Sequence, residues 1–395
     1  MSDQPLPMLG IRWALTPRVG WGVFATNLAA ELLRQRLAMP VPIPAEPFDG
    51  PPLDPLQARL LAPALELGRE LQALRLARPD HIVTLPFPIL HGLGNGLTWS
   101  PVSDQVRSEV EHGVVFLEHS PLDAGAVERG RRFRRIIAGS EWNGRVLRNA
   151  GLADVRVCPH GVDTALFRPG PRRGRFGGRF AIFSGGKLEF RKGQDLVLAA
   201  FRQFVRRHPE ALLVAHWHTP YAGVGADLAL SPTGCGPVPP LASGEPDIGA
   251  WLRQAGVAED AVVPLGPIDH PALAAVLREV DAALFPNRAE GGTNLVAMEC
   301  LAAGVPTVLS ANTGHLDLLR DMPAWALTRQ RAVAAPTLQH AIADWGESDV
   351  DEIVGTLEAI HADRAAAAER ARRCVEAMVS WSWPRRARAL WEAVA

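Results

Sequence analysis

PNRAEGGTNLVAMECLAAGVPT, residues 286–307, decides how this chain is read. An apolar run ends at Phe285, and Glu290 is followed at once by Gly291, Gly292, Thr293 and Asn294. A helix is predicted over 295–303, with Gly304 and Pro306 behind it in the order that stops a helix. Strand, glycine turn and helix in this order aim the first amides of the helix, from Leu295 on, at one spot. The positive end of the helix dipole points there too, and the two glycines let a ligand come close. Such a turn cradles phosphate; on its own it also fits a plain capped surface helix. Glu299 lies about one and a half turns into the helix and can accept hydrogen bonds from sugar hydroxyls.

Working outward, short apolar runs alternate with longer amphipathic stretches. Strands are predicted at 9–15, 81–86, 113–118, 135–139 and 155–158, with helices at 25–37 and 143–150. The segment 169–179, PGPRRGRFGGR, is too rich in Pro, Gly and Arg for either element and is expected to be a linker. The pattern then restarts, with strands at 180–184, 211–216, 262–265, 282–285 and 307–309 and a helix at 194–208. A stretch dense in turn formers, 219–246, interrupts it. Strand–helix alternation predicts mostly parallel sheets covered on both faces. With 395 residues, two such α/β domains are expected, with a ligand cleft at the carboxyl ends of their strands.

Three more segments carry candidate chemistry. SGGKLEFRKG, 184–193, sets Lys187, Arg191 and Lys192 on a glycine-bounded loop just after a strand, where cations can neutralise a diphosphate without a metal. A solvated basic turn is the plainer alternative. TPRVGWGVF, 16–24, brackets Trp21 between Gly20 and Gly22, but it lacks the third glycine of a dinucleotide fingerprint. VVFLEHS, 114–120, puts Glu118 and His119 after a strand, where a lone histidine is more often structural. His91, in ILHGLGNG, is a weaker candidate still.

Composition narrows the classes. A net charge of −1 and a pI near 6.9 give no reason to expect a nucleic-acid partner. The basic runs from Arg129 to Arg135 and from Arg172 to Arg179 suit solvated faces and a linker; the first also suits an anionic lipid surface. Cys158, Cys235, Cys300 and Cys374 are widely spaced and form no zinc or disulfide pattern, so no metal site is expected. Neither a leader nor a long apolar span is legible, and a cytoplasmic protein is expected, with peripheral contact at the inner membrane face through Arg129–Arg135.

Taken together, these segments resemble the retaining nucleotide-sugar glycosyltransferases of family 4. The likeness runs through IIAGSEWNGRVLRNAGLADVRVCPHGVD (136–163), GGKLEFRKGQD and EGGTNLVAMECLAAGVP, in that order. It implies a GT-B fold of two Rossmann-like domains facing a central cleft: an acceptor-side domain over 1–170, a donor-side domain over 171–379, and a last helix, 380–395, crossing back to the first. It implies no cofactor; a nucleotide-diphosphate sugar is the co-substrate, and the acceptor is not legible. Lys187 and Lys192 match the family's basic pair on the donor diphosphate, the first more often being arginine. Glu299 matches the glutamate that holds the ribose, and Glu290 the one near the transferred sugar. The Gly20–Gly22 loop resembles the loop covering the donor, and His119 the histidine facing that sugar. One departure stands out: eight residues separate Glu290 from Glu299 where the family has seven. The alternatives are a catalytically idle sugar-nucleotide-binding protein, another GT-B enzyme such as a sugar-nucleotide epimerase or phosphorylase, and a dinucleotide oxidoreductase.

Overall fold

A computed structural model describes residues 5–17, 19–43, 53–99, 105–217, 226–333 and 342–395. The chain divides into two compact units, Met1–Gly161 with Trp381–Ala395, and Val162–Ser380. None of the described helices is long and apolar enough to cross a membrane.

The first unit holds β1 (Met8–Arg12), α1 (Gly20–Arg34), β2 (Met39–Pro42), α2 (Pro55–Ala77), β3 (Val83–Leu85), β4 (Ile89–Leu93), β5 (Val106–Ser108), β6 (Glu111–Val115), α3 (Ala124–Gly130), β7 (Arg135–Ala138), α4 (Glu141–Asn149) and β8 (Val155–Val157). Its main sheet runs β2-β1-β4-β6-β7-β8, with every pair parallel. Leu9, Ile11, Ile89 and Leu90 are fully buried, as strands covered on both faces require. The predicted strand at 81–86 does form, as β3, but it pairs with β5 outside this sheet. The neighbours of β1 are β2 and β4, the latter the ILHGL stretch that Gly92 interrupts. His91 therefore sits mid-strand and buried, and burial, with Arg12 and Arg107 adding to it, lowers its pKa to about 3. It is a neutral core histidine at physiological pH.

The second unit holds β9 (Phe180–Gly186), α5 (Gln194–Val205), β10 (Ala211–Trp217), α6 (Ile248–Gln254), β11 (Val262–Pro264), α7 (His270–Leu277), β12 (Ala282–Phe285), α8 (Leu295–Ala302), β13 (Thr307–Ser310), α9 (His315–Asp321), β14 (Trp325–Leu327), β15 (Gln330–Ala332), β16 (Gly346–Ser348), α10 (Val350–Ala362) and α11 (Arg364–Met378). Its sheet is parallel in the order β11-β10-β9-β12-β13-β14. The first strand of the unit lies mid-sheet, so the winding direction reverses between β9 and β12, the place where open α/β sheets bind ligands. The interruption at 219–246 lies outside the described residues up to 225; beyond it come a short 3-10 turn, Ala226–Leu230, and turns as far as α6.

The segment 162–179, part of which reads as a linker by composition, is fastened to the second unit. Arg172 pairs with Asp281 at 2.8 Å, and the Glu279 carboxylate accepts the Arg173 and Arg175 amides at 2.6 and 3.1 Å. Arg278 donates to the Leu166 and Arg168 carbonyls. The unit therefore starts at Val162, ahead of the composition change at 170. The last helix, α12 (Trp383–Val394), belongs to the first unit, where Trp383 stacks on Phe24 at 5.9 Å between centroids.

Candidate donor-phosphate site

The loops that follow β9 and β12 lie side by side. Gly193 shows why the first must be glycine-bounded. Its φ is 71°, and a Cβ there would stand 2.4 Å from the Pro286 carbonyl oxygen, so any side chain would push the loops apart. Between Gly186 and Gly193 the chain makes a 3-10 turn, Phe190–Lys192, that gathers the basic residues.

Those residues are not alike. Lys187 is the exposed one, its side chain 42% accessible, and its Nζ donates to Glu189 Oε1 at 3.1 Å. Gln194 Nε2 holds the Lys187 carbonyl at 2.6 Å, which fixes the loop under it. Arg191 is buried and donates to the Ala289 carbonyl, to Glu290 and to Glu189. Lys192 is largely buried, with Nζ 2.6 Å from Glu290 Oε1. Burial lowers the Lys192 pKa, against the pull of Glu290. For Glu290 burial pushes the carboxyl up, yet the charges of Lys192 and Arg191 outweigh it and hold the pKa at about 2. Glu189 is held at about 2 in the same way, burial being outweighed by Arg191, Lys187 and Lys192. Glu290 is further bound by Asn287 Nδ2, by its own amide donating to Thr313 Oγ1 at 2.7 Å, and by the Gly314 amide on its carbonyl. Its carboxylate thus braces the basic loop.

Among the eight residues between the two glutamates, Asn294 takes φ 63° and ψ 93°. Asparagine tolerates this region better than most residues. Gly291, Gly292 and Thr293 are buried, and Thr293 Oγ1 donates to Met298 Sδ. Asn294 caps α8 by accepting from the Ala297 amide, and its Nδ2 lies 3.1 Å from His315 Nε2. Ser310 Oγ donates to the Asn287 carbonyl and lies 3.0 Å from His315 Nδ1. Those bonds require Nδ1–H to donate to Ser310 and Nε2 to accept from Asn294. Burial, its largest cause, takes the His315 pKa to about 4, so the ring is neutral. Nothing in the local sequence marks His315, since Ser310 and Asn294 find it only through the fold.

Glu299 is buried on α8. Burial, with Asp163 adding to it, raises its pKa to about 8, and the partner within reach is His270, its Nε2 3.5 Å away. At neutral pH the carboxyl is mostly protonated and donates as well as accepts.

The first unit carries the remaining candidates. A Cβ on Gly22 would lie 2.1 Å from Thr16 Cγ2 and 2.5 Å from the Thr16 carbonyl, so this glycine lets α1 close onto the loop before it. Gly20 is the first residue of α1, and no side chain of Val19 caps that end. His119 is half-buried in the loop beyond β6, which Asn143 and Asn95 pin at Leu117 and Glu118. Beside it, Phe116 meets Trp21 and His160, and Trp21 meets Trp13. This aromatic group escapes a reading that looks for glycines and charges. Of the basic run, Arg129 is spent on the Gly96 carbonyl and Arg135 on Asp154 and the Ala393 carbonyl. Arg131, Arg132 and Arg134 are exposed and line a depression of about 610 Å³ with Arg107, Glu109 and Glu111.

Residues 144–390, more than half of the chain, match the family described as Family 4 Glycosyltransferase in conflict systems. The chain belongs to that family. Among curated relatives, this family 4 chain is 29% identical over 221 residues to D-inositol 3-phosphate glycosyltransferase of Segniliparus rotundus, covering 52% of this chain and 44% of the relative. It is 32% identical over 170 residues to glycogen synthase of Mycobacterium tuberculosis, covering 42% and 34%. These matches span half or less of either relative's length. Sucrose-phosphate synthase from Thermosynechococcus elongatus superposes with a TM-score of 0.65 at 16% identity, over 98% of both chains. Anabaena HepE in complex with UDP and glucose gives 0.65 at 13%, also over 98% of both. The family 4 chain therefore has the GT-B fold, with two Rossmann-like sheets.

Proposed function

We propose that this chain transfers a sugar from a nucleotide-diphosphate sugar to an acceptor, with retention of anomeric configuration and no metal at the diphosphate. The observation that carries the reading is the cation loop, Lys187, Arg191 and Lys192, set against the 290–295 turn where the second sheet reverses. Departure of the nucleotide diphosphate puts charge on a phosphate oxygen. Lys187 leaves Glu189 to meet it, Lys192 lies behind, and the first amides of α8 supply fixed dipoles. Glu299 then takes the ribose hydroxyls, and Glu290 holds Lys192 in place. His119 keeps the sugar-facing role as a proposal resting on the resemblance. The HepE complexes make UDP and UDP-glucose the first ligands to test.

Lys187→Ala is the clean probe, because the residue is exposed and its loss leaves no buried carboxylate stranded. Loss of one charge-assisted bond should weaken nucleoside-diphosphate binding by about 1.5–3 kcal/mol with an unchanged melting temperature. Lys192→Ala is the poorer probe, since its removal also strips Glu290 of its nearest counter-charge. Turnover of the donor should persist in excess EDTA. Wild-type affinity in Lys187→Ala, or turnover that stops in EDTA and returns with manganese or magnesium, defeats the assignment.

A second reading concerns location. The exposed Arg131, Arg132 and Arg134 beside Arg107 suit an anionic lipid surface, each cation contributing about 1 kcal/mol. Co-sedimentation with phosphatidylserine vesicles should be lost in the triple Glu variant; equal sedimentation of both proteins removes the reading.

A further inference from the structure

At the opposite end of the strands of the second sheet from the donor loops, four side chains distant in sequence meet. His208 follows α5, Glu210 precedes β10, and Glu358 and His361 lie one turn apart on α10. Glu210 Oε1 is 3.0 Å from His361 Nε2 and 3.7 Å from His208 Nδ1. One ligand atom from each of His208, Glu210 and His361 falls within 4.8 Å of the others. The fourth residue sets the chemistry. His208 Nε2 lies 2.6 Å from Glu358 Oε2, so Nε2 carries the proton and donates to that carboxylate. His208 Nδ1 is then left with its lone pair turned toward Glu210. A carboxylate behind a histidine in this manner is the usual support of a metal-bound imidazole, since it fixes the tautomer and raises the basicity of the other nitrogen.

We infer that His208, Glu210 and His361 form a binding site for a first-row transition dication such as Zn²⁺, with Glu358 orienting His208. Two imidazole nitrogens and one carboxylate oxygen suit that class and not magnesium, which prefers all-oxygen shells. An ion about 2.0–2.1 Å from each donor needs donors roughly 3–3.5 Å apart. The 3.0 Å separation of Glu210 from His361 meets this, and ring rotation with movement of Glu210 has to close the 3.7 Å to His208 and the spread of up to 4.8 Å among the three donors. The rings are held from below: His361 packs edge-on against Phe180 at 4.8 Å, and His208 against Phe204 at 4.5 Å. His208 and His361 are each only 20% exposed, whereas Glu210 is 46% exposed and can swing in with the ion.

The site lies where β9 and β10 begin. The seven residues of β10 put it roughly 20 Å from the strand ends that carry the donor loops. An ion there does no chemistry on a donor. It ties α10 to the turn between α5 and β10, and its effect is on the stability of the unit. EDTA should strip it without stopping the transfer proposed above, so the two proposals fail separately.

The test uses the full chain stripped with a chelator and dialysed, titrated with Zn²⁺ by calorimetry and followed by melting. One Zn²⁺ per chain should bind at this site and raise the melting temperature, while Mg²⁺ should do neither. His361→Gln and Glu210→Gln should each weaken that equivalent at least tenfold; Glu358→Gln, which only orients His208, should weaken it about tenfold. Glu210 is exposed enough that its glutamine variant should fold, so it decides the matter if His361→Gln does not. A chain that binds no Zn²⁺, or binds it equally with and without Glu210 and His361, overturns the site.

Discussion

Arg288→Met is expected to destabilise the second unit by about 3–5 kcal/mol, the cost of leaving buried charges without their partner. The guanidinium is fully buried. It donates to both Asp195 oxygens at 2.8 and 2.7 Å, to Glu347 Oε2 at 3.0 and 2.8 Å, and to the Phe190 carbonyl at 2.7 Å, and it lies 3.8 Å over the Phe190 ring. After its removal Glu347 still has Arg331 on its other oxygen, whereas Asp195 keeps the Ser231 hydroxyl and, among the described residues, no counter-charge of comparable contact. Methionine fills much of the volume and matches none of these bonds. Arg288→Lys retains the charge without the planar fork and should fall between. The loop consequence follows from position. The Arg288 amide donates to the Arg191 carbonyl, so the triad clamps the cation loop to the turn before Glu290. Nucleoside-diphosphate affinity should therefore fall along with stability. Urea unfolding at constant slope measures the first effect. A midpoint within a few tenths molar of wild type would show that the triad holds nothing together.

Glu299→Gln is the second large effect, and its sign depends on pH. The carboxyl moves from its ordinary 4.5 to about 8 on folding, so folding takes up a proton between those values. The stability linked to this group is complete below about pH 4.5, declines as pH rises and is lost above about 8. Glutamine has no proton to take up. Its unfolding free energy should match or fall slightly below wild type near pH 5 and exceed it at pH 8, by an amount on the order of 1–3 kcal/mol, with the melting temperature moving the same way. Above about pH 8, where the carboxyl is charged, the variant should bind the donor diphosphate more weakly by about 1–3 kcal/mol if the carboxylate accepts the ribose hydroxyls, and near pH 5, where both side chains are neutral, the gap should narrow. A difference in melting temperature that stays flat from pH 5 to 8 contradicts the buried carboxyl. Unchanged affinity in a stable variant removes the ribose role and leaves Glu299 as the partner of His270.

Much of this protein was legible without coordinates because the informative signals are local. A glycine turn, a cap and a helix stop lie within twenty-two residues of chain at 286–307, and backbone sterics act over that range. The same holds for the basic loop at 184–193 and for most strands of both sheets, whose apolar runs record burial on two faces. β4 was hidden because Gly92 interrupts its run, and the glycine is there for packing: a Cβ would come 3.3 Å from the Trp13 ring.

Residue order therefore carries the class of fold, the family and the position of the two glycine-bounded loops. Which charge does what was decided by the tertiary structure alone. Lys187 and Lys192 look equivalent in SGGKLEFRKG, but one is exposed and the other is buried on Glu290, 98 residues away. Arg288 meets Asp195 across 93 residues, and His361 meets Glu210 across 151. Charge and hydrogen-bond energies depend on distance and burial in space, which separation along a chain does not encode. Local propensity could place the elements; only their packing could choose the partners.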